Sequence, residues 1–199
     1  MSSPFFEAVK TRRSVYAISK QSPVSDDEIQ GIVEEAVLHS PTSFNSQTSR
    51  AVVLLGEQHD KLWDITTETL RKIVPADQFE GTAQKLGSFK SGYGTVLFFE
   101  DQAGVKQLQE NFALYADNFP IWSNQSSGIL QYVVWTAFAE VGLGASLQHY
   151  NPLIDDEVKE TWGIPAEWKL IAELPFGSIA AAPGPKEFKP IEERVKVFK

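Results

Sequence analysis

The chain has 199 residues, 42% of them hydrophobic, enough for one large domain with a substantial core. Its 18 Lys plus Arg against 26 Asp plus Glu give a net charge of −8, which argues against a nucleic-acid backbone or an anionic membrane surface as partner. With no Cys there can be no disulfide, thiol nucleophile or thiolate metal site, and His39, His59 and His149 lie far apart in sequence.

Elements follow one another without a repeat or a long linker, so one domain is expected over 1–199. Ser3-Pro4 reads as a cap followed by Pro at the first helical position, and Phe5, Phe6 and Val9 begin a short helix ending near Arg12. Ser25-Asp26-Asp27-Glu28 is a capping box with Val24 and Ile29 as its staple; Ile29, Ile32, Val33, Ala36 and Val37 continue at helical spacing until Pro41. The runs 50–56 and 95–100 read as buried strands. Leu62, Ile65, Leu70 and Ile73 mark a helix between them, and Val105, Leu108, Phe112 and Tyr115 mark another after them.

From about Ser126 to Val141 the chain is apolar on nearly all sides, as suits a helix at the centre or at a subunit interface. Gly142-Leu-Gly-Ala-Ser-Leu147 closes it and starts a short strand, Asn151-Pro152 opens a helix through Trp162, and Trp168 to Leu174 gives a last strand. The irregular mixture of strands and helices favours an α+β sandwich over a doubly wound sheet. The tail 183–199 carries Phe188, Ile191, Val195, Val197 and Phe198, too apolar for water, which predicts packing on its own subunit or on a partner.

Charge is concentrated at the ends. Lys10, Arg12, Arg13 and Lys20 outweigh Glu7, and five basic residues outweigh three acidic ones over 186–199, inside an otherwise acidic chain. Either both ends converge on one anion or both are ordinary solvated termini. Arg12-Arg13-Ser14 offers two guanidinium forks and a hydroxyl suited to phosphate oxygens, and equally suits a solvated helix end. The loop Ser40-Pro-Thr-Ser-Phe-Asn-Ser-Gln47 is dense in hydroxyls and carboxamides, which both donate and accept, as a heterocycle with alternating carbonyls and ring nitrogens requires. A polar turn satisfying its own backbone is the competing reading. No Gly-x-Ser-x-Gly elbow or phosphate-binding Gly-Lys loop is present, and Gly142-Leu-Gly lacks the third glycine of a dinucleotide fingerprint.

Arg12-Arg13-Ser14, the 40–47 loop, Gly142-Leu143-Gly144 after a long apolar helix, and a late Arg194 together resemble the flavin-dependent nitroreductase family over nearly the whole chain. The wording is most similar to a small branch that includes yeast fatty-acid-regulation proteins and a copper-induced lactococcal enzyme. The resemblance implies a central antiparallel or mixed sheet flanked by helices, an intertwined homodimer with the tail packed on the dimer, and FMN at the interface reduced by NADH or NADPH. It implies that Arg12, Arg13, Ser14 and Arg194 hold the phosphate and ribityl chain, with Tyr16 where the family often has a basic residue. It places Ser43, Asn45 and Gln47 against the ring, Lys90 at its pyrimidine end, and Leu147, Gln148 and His149 near N5.

Tyr16 and Glu192 both remove positive charge from the phosphate site relative to the family pattern, and Lys189 or Lys196 stand near enough in sequence to compensate. The activity implied is hydride transfer through flavin N5 from NAD(P)H to a small-molecule acceptor, a nitroaromatic or quinone, with the chemistry carried by the cofactor. The alternative is a flavin-binding regulatory protein of stress or lipid signalling with incidental reductase activity. No secretory leader or run of about 20 apolar residues is visible, which predicts a cytoplasmic protein.

Overall fold

Caps written into the sequence start the first two helices of the computed structural model, which describes residues 3–199. Ser3 Oγ accepts the Phe6 N–H at 3.4 Å to open α1 (Pro4–Thr11), and Ser25 Oγ accepts the Glu28 N–H at 3.2 Å to open α2 (Asp26–His39). Asp26, Asp27 and Glu28 fill the first turn of α2, where the positive end of the helix dipole favours carboxylates. Between these helices lies β1 (Ile18–Ser19). The order continues β2 (Ser49–Leu55), α3 (Glu57–Arg71), α4 (Phe79–Lys90), β3 (Gly94–Asp101), α5 (Gln102–Asn111), α6 (Phe119–Glu140), β4 (Leu143–Ala145), α7 (Asp155–Trp162) and β5 (Trp168–Ile179).

Every pairing between these strands is antiparallel, in the order β1-β5-β3-β2, with β4 also on β5. Phe176 pairs with both Gly94 and Ala145, and Ser178 with both Ser19 and Leu143, so β4 occupies one edge of β5 while β3 and then β1 occupy the other. Gly177 makes that meeting possible: a Cβ there would stand 2.2 Å from the Ser19 carbonyl oxygen. The expected α+β architecture with a helix-flanked antiparallel sheet is the one observed.

Alternation along the strands divides the core in two. Val96, Phe98, Ala172, Leu174 and Phe176 face α2 and α6, meeting Ile29, Val33, Leu130, Val134 and Phe138. Leu54, Leu97 and Phe99 face the other way, onto Leu62, Trp63, Leu86, Phe89 and Val158 of α3, α4 and α7. A register shift between Phe98 and Phe99 skips Ile171, which turns Leu170 to the second face although Ala172 lies on the first.

Several elements differ from the sequence expectation. α3 ends at Arg71, so Ile73 lies beyond it and is 57% exposed. α5 stops at Asn111; Phe112 and Tyr115 belong to an irregular segment whose 3-10 turn, Ala113–Asn118, leads into α6. α6 begins seven residues earlier than its apolar run, with Pro120 in its first turn. α4 and β1 carried no periodic signal strong enough to read. Among the described residues no helix is long and apolar enough to cross a membrane.

Candidate functional site

The backbone ends α1 at Arg12, whose N–H bonds Ala8 O at 3.0 Å, and then runs extended beside β4. Val15 N–H donates to Ala145 O at 2.9 Å, and Ser14 forms a parallel bridge with Ala145. Arg12, Arg13 and Ser14 are thereby placed beside the strand that continues into Leu147, Gln148 and His149. Arg12 stacks its guanidinium over Trp135 of α6, 4.3 Å from the ring centroid, yet its Nε is buried with no hydrogen-bond partner. Arg13 Nη2 donates to Gly184 O at 2.7 Å, fastening the chain after β5 to the N-terminal segment.

Between these segments lies a cavity of about 570 Å³ lined by residues 12–14, 16, 17 and 181–186. Arg12, Arg13 and Lys186 line it, Ser14 and Tyr16 add hydroxyls, and no acidic side chain lines it. The two basic ends of the chain therefore do converge, but through Lys186. Arg194 lies farther on, exposed, with its N–H bonded to Ile191 O, and does not line this cavity.

The second polar constellation is strained. Phe44, Asn45 and Gln47 have φ of 57°, 48° and 50°, left-handed values that cost non-glycine residues about 1–2 kcal/mol each. Local bonds hold the loop: Asn45 N–H to Thr42 O, Ser46 N–H to Ser43 O, Gln47 N–H to Thr42 Oγ1, and Arg50 Nη1 to Gln47 O at 2.6 Å. Arg50 is itself paired with Asp101 at 2.9 Å. Below the loop, buried Glu100 accepts from the hydroxyls of Thr48, Ser49 and Ser123, tying β2 and α6 to β3. Strain over-determined in this way is typical of a segment shaped for contact.

The strained backbone seats Phe44 in an aromatic group that sequence reasoning missed. Its ring lies 5.1 Å from Phe112, 5.3 Å from Phe119 and 5.8 Å from Trp122, to which it is nearly parallel, with Tyr115 at 6.0 Å. Phe44, Phe112 and Tyr115 remain 41–52% exposed. The recurrence of aromatics at 112, 115, 119 and 122 is the signal that could have found it; the spacing argument uses only Phe112 and Tyr115, as positions of a helix.

Gln47 instead lines a separate, largely apolar groove of about 810 Å³ with Val33, Val37, Leu38, Ala51 and Val53. The groove shares no residue with the Arg12 cavity, and none of Ser43, Asn45 and Gln47 lines that cavity within one chain. Gln148 is buried, donates to Ser146 Oγ at 3.1 Å and exchanges backbone bonds with Glu173, while His149 is exposed. Lys90 sits in the opposite layer at the end of α4, paired with Asp64 at 2.5 Å. Among the described residues no cluster of His, Cys, Asp or Glu suits a metal ion.

The Nitroreductase family model matches residues 9–178. Protein HBN1 of Saccharomyces cerevisiae is 35% identical over 196 residues, covering 98% of this chain and 96% of its own length. Nitroreductase CinD from Lactococcus lactis, solved in complex with chloramphenicol and with 4-nitrophenol, is 50% identical, with a TM-score of 0.89, covering 98% of this chain and all of that one. The fold extends to a Desulfovibrio desulfuricans protein solved in complex with FMN, 19% identical with a TM-score of 0.71. With its fold, its basic cavity and its polar loop in place, the chain belongs to the nitroreductase family.

Proposed function

We propose that this protein is an FMN-dependent oxidoreductase that passes electrons from NADH or NADPH to a small aromatic acceptor such as a nitroaromatic or a quinone. The observation that carries the reading is the cavity lined by three cationic side chains and no acid, with the unpartnered Nε of Arg12 buried at its wall. A flavin phosphate brings about two negative charges and strong acceptor oxygens, the complement of that donor set.

The chemistry supplied by bound FMN is acceptance of a hydride from NAD(P)H and onward donation to the acceptor. In this reading Arg12, Arg13, Ser14 and Lys186 neutralise and orient the phosphate, Tyr16 closes the cavity, and Arg194 adds charge from the tail. Ser43, Asn45 and Gln47 match the hydrogen-bonding edge of the ring. Leu147, Gln148 and His149 border its reacting face and limit the access of water. Lys90 would serve the pyrimidine end only by exchanging Asp64 for it. The exposed rings of Phe44, Phe112 and Tyr115 offer a stacking wall for a planar acceptor.

Because one chain keeps the phosphate cavity and the 43–47 loop apart, the reading includes a homodimer that joins one protomer's cavity to its partner's loop. The tail supplies a contact of the right chemistry: Phe188, Val197 and Phe198 are 72–93% exposed, and the groove over α2 and β2 is apolar. The test is purification followed by an absorption spectrum and anaerobic addition of NADH. A yellow dimer bleached by NADH is expected; a colourless protein that also fails to bind added FMN would overturn the proposal.

A further inference from the structure

Glu173 on β5 is fully buried and grips the segment after β4 at three points. Its N–H donates to Gln148 O at 3.0 Å, its carbonyl accepts the Gln148 N–H at 2.7 Å, and its Oε2 accepts the Tyr150 N–H at 2.9 Å. Its other carboxyl oxygen, Oε1, has no partner, and neither has the buried Oδ1 of Asn151 or of Asp155 at the start of α7. Glu173 Oε1 therefore stands buried without a donor, a costly position for a carboxylate and a tolerable one for a protonated acid.

The backbone N–H groups of Tyr150, Glu173 and Asn151 favour the ionised carboxylate, the negative charge of Asp155 at the start of α7 opposes it, and Lys159 and Lys169 act on Asp155. Tyr150, the other titratable neighbour, is pushed up to about 12, chiefly by burial, and so stays neutral. Burial, the larger cause, and then Asp155 push Glu173 up to about 8, and burial also raises Asp155.

We propose that Glu173 is a positioning residue for Leu147–His149: a neutral carboxylic acid that carries its proton on the unpartnered Oε1 while Oε2 accepts the Tyr150 N–H. Its importance for catalysis rests on the reading that Leu147, Gln148 and His149 border the reacting face of the flavin. Ionised, Glu173 would place an uncompensated charge directly behind that segment.

The experiment compares the full-length wild type with Glu173→Gln, which keeps an acceptor for Tyr150 but has no proton to lose, and with Glu173→Ala. In the flavin-free protein the folded state holds a proton that the unfolded carboxyl, with an ordinary value of 4.5, releases. Glu173 therefore makes the unfolding equilibrium constant rise tenfold per pH unit between about 4.5 and 8, and Glu173→Gln removes that component. Urea titrations from pH 5 to 9 read the difference; equal slopes for wild type and Glu173→Gln would overturn the neutral acid.

Amide exchange at Gln148 and Tyr150 reads the clamp itself. At least tenfold faster exchange in Glu173→Ala, restored by Glu173→Gln, is expected, and unchanged exchange would overturn it. In the FMN-loaded protein the wild-type kcat should fall above pH 8 with KM steady, and Glu173→Gln should abolish the fall; a kcat profile identical in both would remove the role in catalysis. If the wild type binds no FMN, the functional reading and the catalytic role fall together, while the first two measurements still decide the neutral acid and the clamp.

Discussion

Thr95→Val removes one oxygen atom on which three elements depend. Trp63 of α3 donates its indole N–H to Thr95 Oγ1 at 3.0 Å, and Thr95 Oγ1 lies 2.8 Å from His59 Nδ1. His59 Nε2 lies 3.2 Å from the Lys90 carbonyl oxygen, which can only accept, so Nε2 carries the proton and Nδ1 accepts from Thr95. The chain of bonds from Trp63 to Thr95 to His59 to Lys90 is fully satisfied, and all three side chains in it are at most 1% exposed.

Valine fits the same β-branched space in β3 but leaves an indole N–H and an imidazole nitrogen buried without partners. At about 1–3 kcal/mol for each of the two orphaned groups, the loss is about 2–6 kcal/mol, or on the order of 4–24 °C in Tm for a domain of this size. Urea unfolding at fixed protein concentration measures it, with Thr95→Ser as the control that keeps the hydroxyl. A double-mutant cycle with Trp63→Phe isolates one bond. A Thr95→Val loss below about 0.5 kcal/mol, or no coupling to Trp63→Phe, would refute the network.

Further predictions follow from other sites. Burial lowers the His59 pKa below its ordinary 6.5, so its contribution to stability is complete above that value and is lost as pH falls below it toward the folded-state pKa; His59→Gln should flatten that part of a urea-midpoint profile. Gly177→Ala should drive β1 off β5 and cost about 1–3 kcal/mol, measured by thermal unfolding, because backbone rather than a mobile side chain stands 2.2 Å from the new Cβ. Arg12→Ala should weaken FMN binding roughly ten- to hundred-fold, read by fluorescence titration, while the lost stacking on Trp135 costs only about 1 kcal/mol of stability.

Local signals made much of the fold legible. The Ser3 and Ser25 caps and the β-branched runs of β2 and β3 state their structure within a few residues of sequence. α4 was missed because Gln78 gives it no side-chain cap, Gly81 and Gly87 interrupt it, and only Phe79, Leu86 and Phe89 are buried. β1 is two residues long and exists because Gly177 lets it approach β5, a tertiary reason no periodicity carries.

Within the site, the basic ends were readable from charge alone, but the partner brought to Arg13 by the 181–186 turn is Lys186, a neighbour set by a hydrogen bond to Gly184. Phe112 and Tyr115 matched helical spacing, yet the chain leaves the helix before them and gives their rings to Phe44. Glu100 and Glu173 fall inside runs that read as strands, but nothing in the sequence singles them out; both are buried, Glu100 among the hydroxyls of Thr48, Ser49 and Ser123 and Glu173 against the segment after β4.

The central claim is that residues 12–14 and Lys186 form a receptor for a phosphate carried on a flavin. Fluorescence titration of the apo protein with FMN and, in parallel, with riboflavin tests it most directly. The account predicts FMN binding at least tenfold tighter than riboflavin, with the difference erased by Arg12→Ala; equal affinities for the two flavins in the wild type would contradict it.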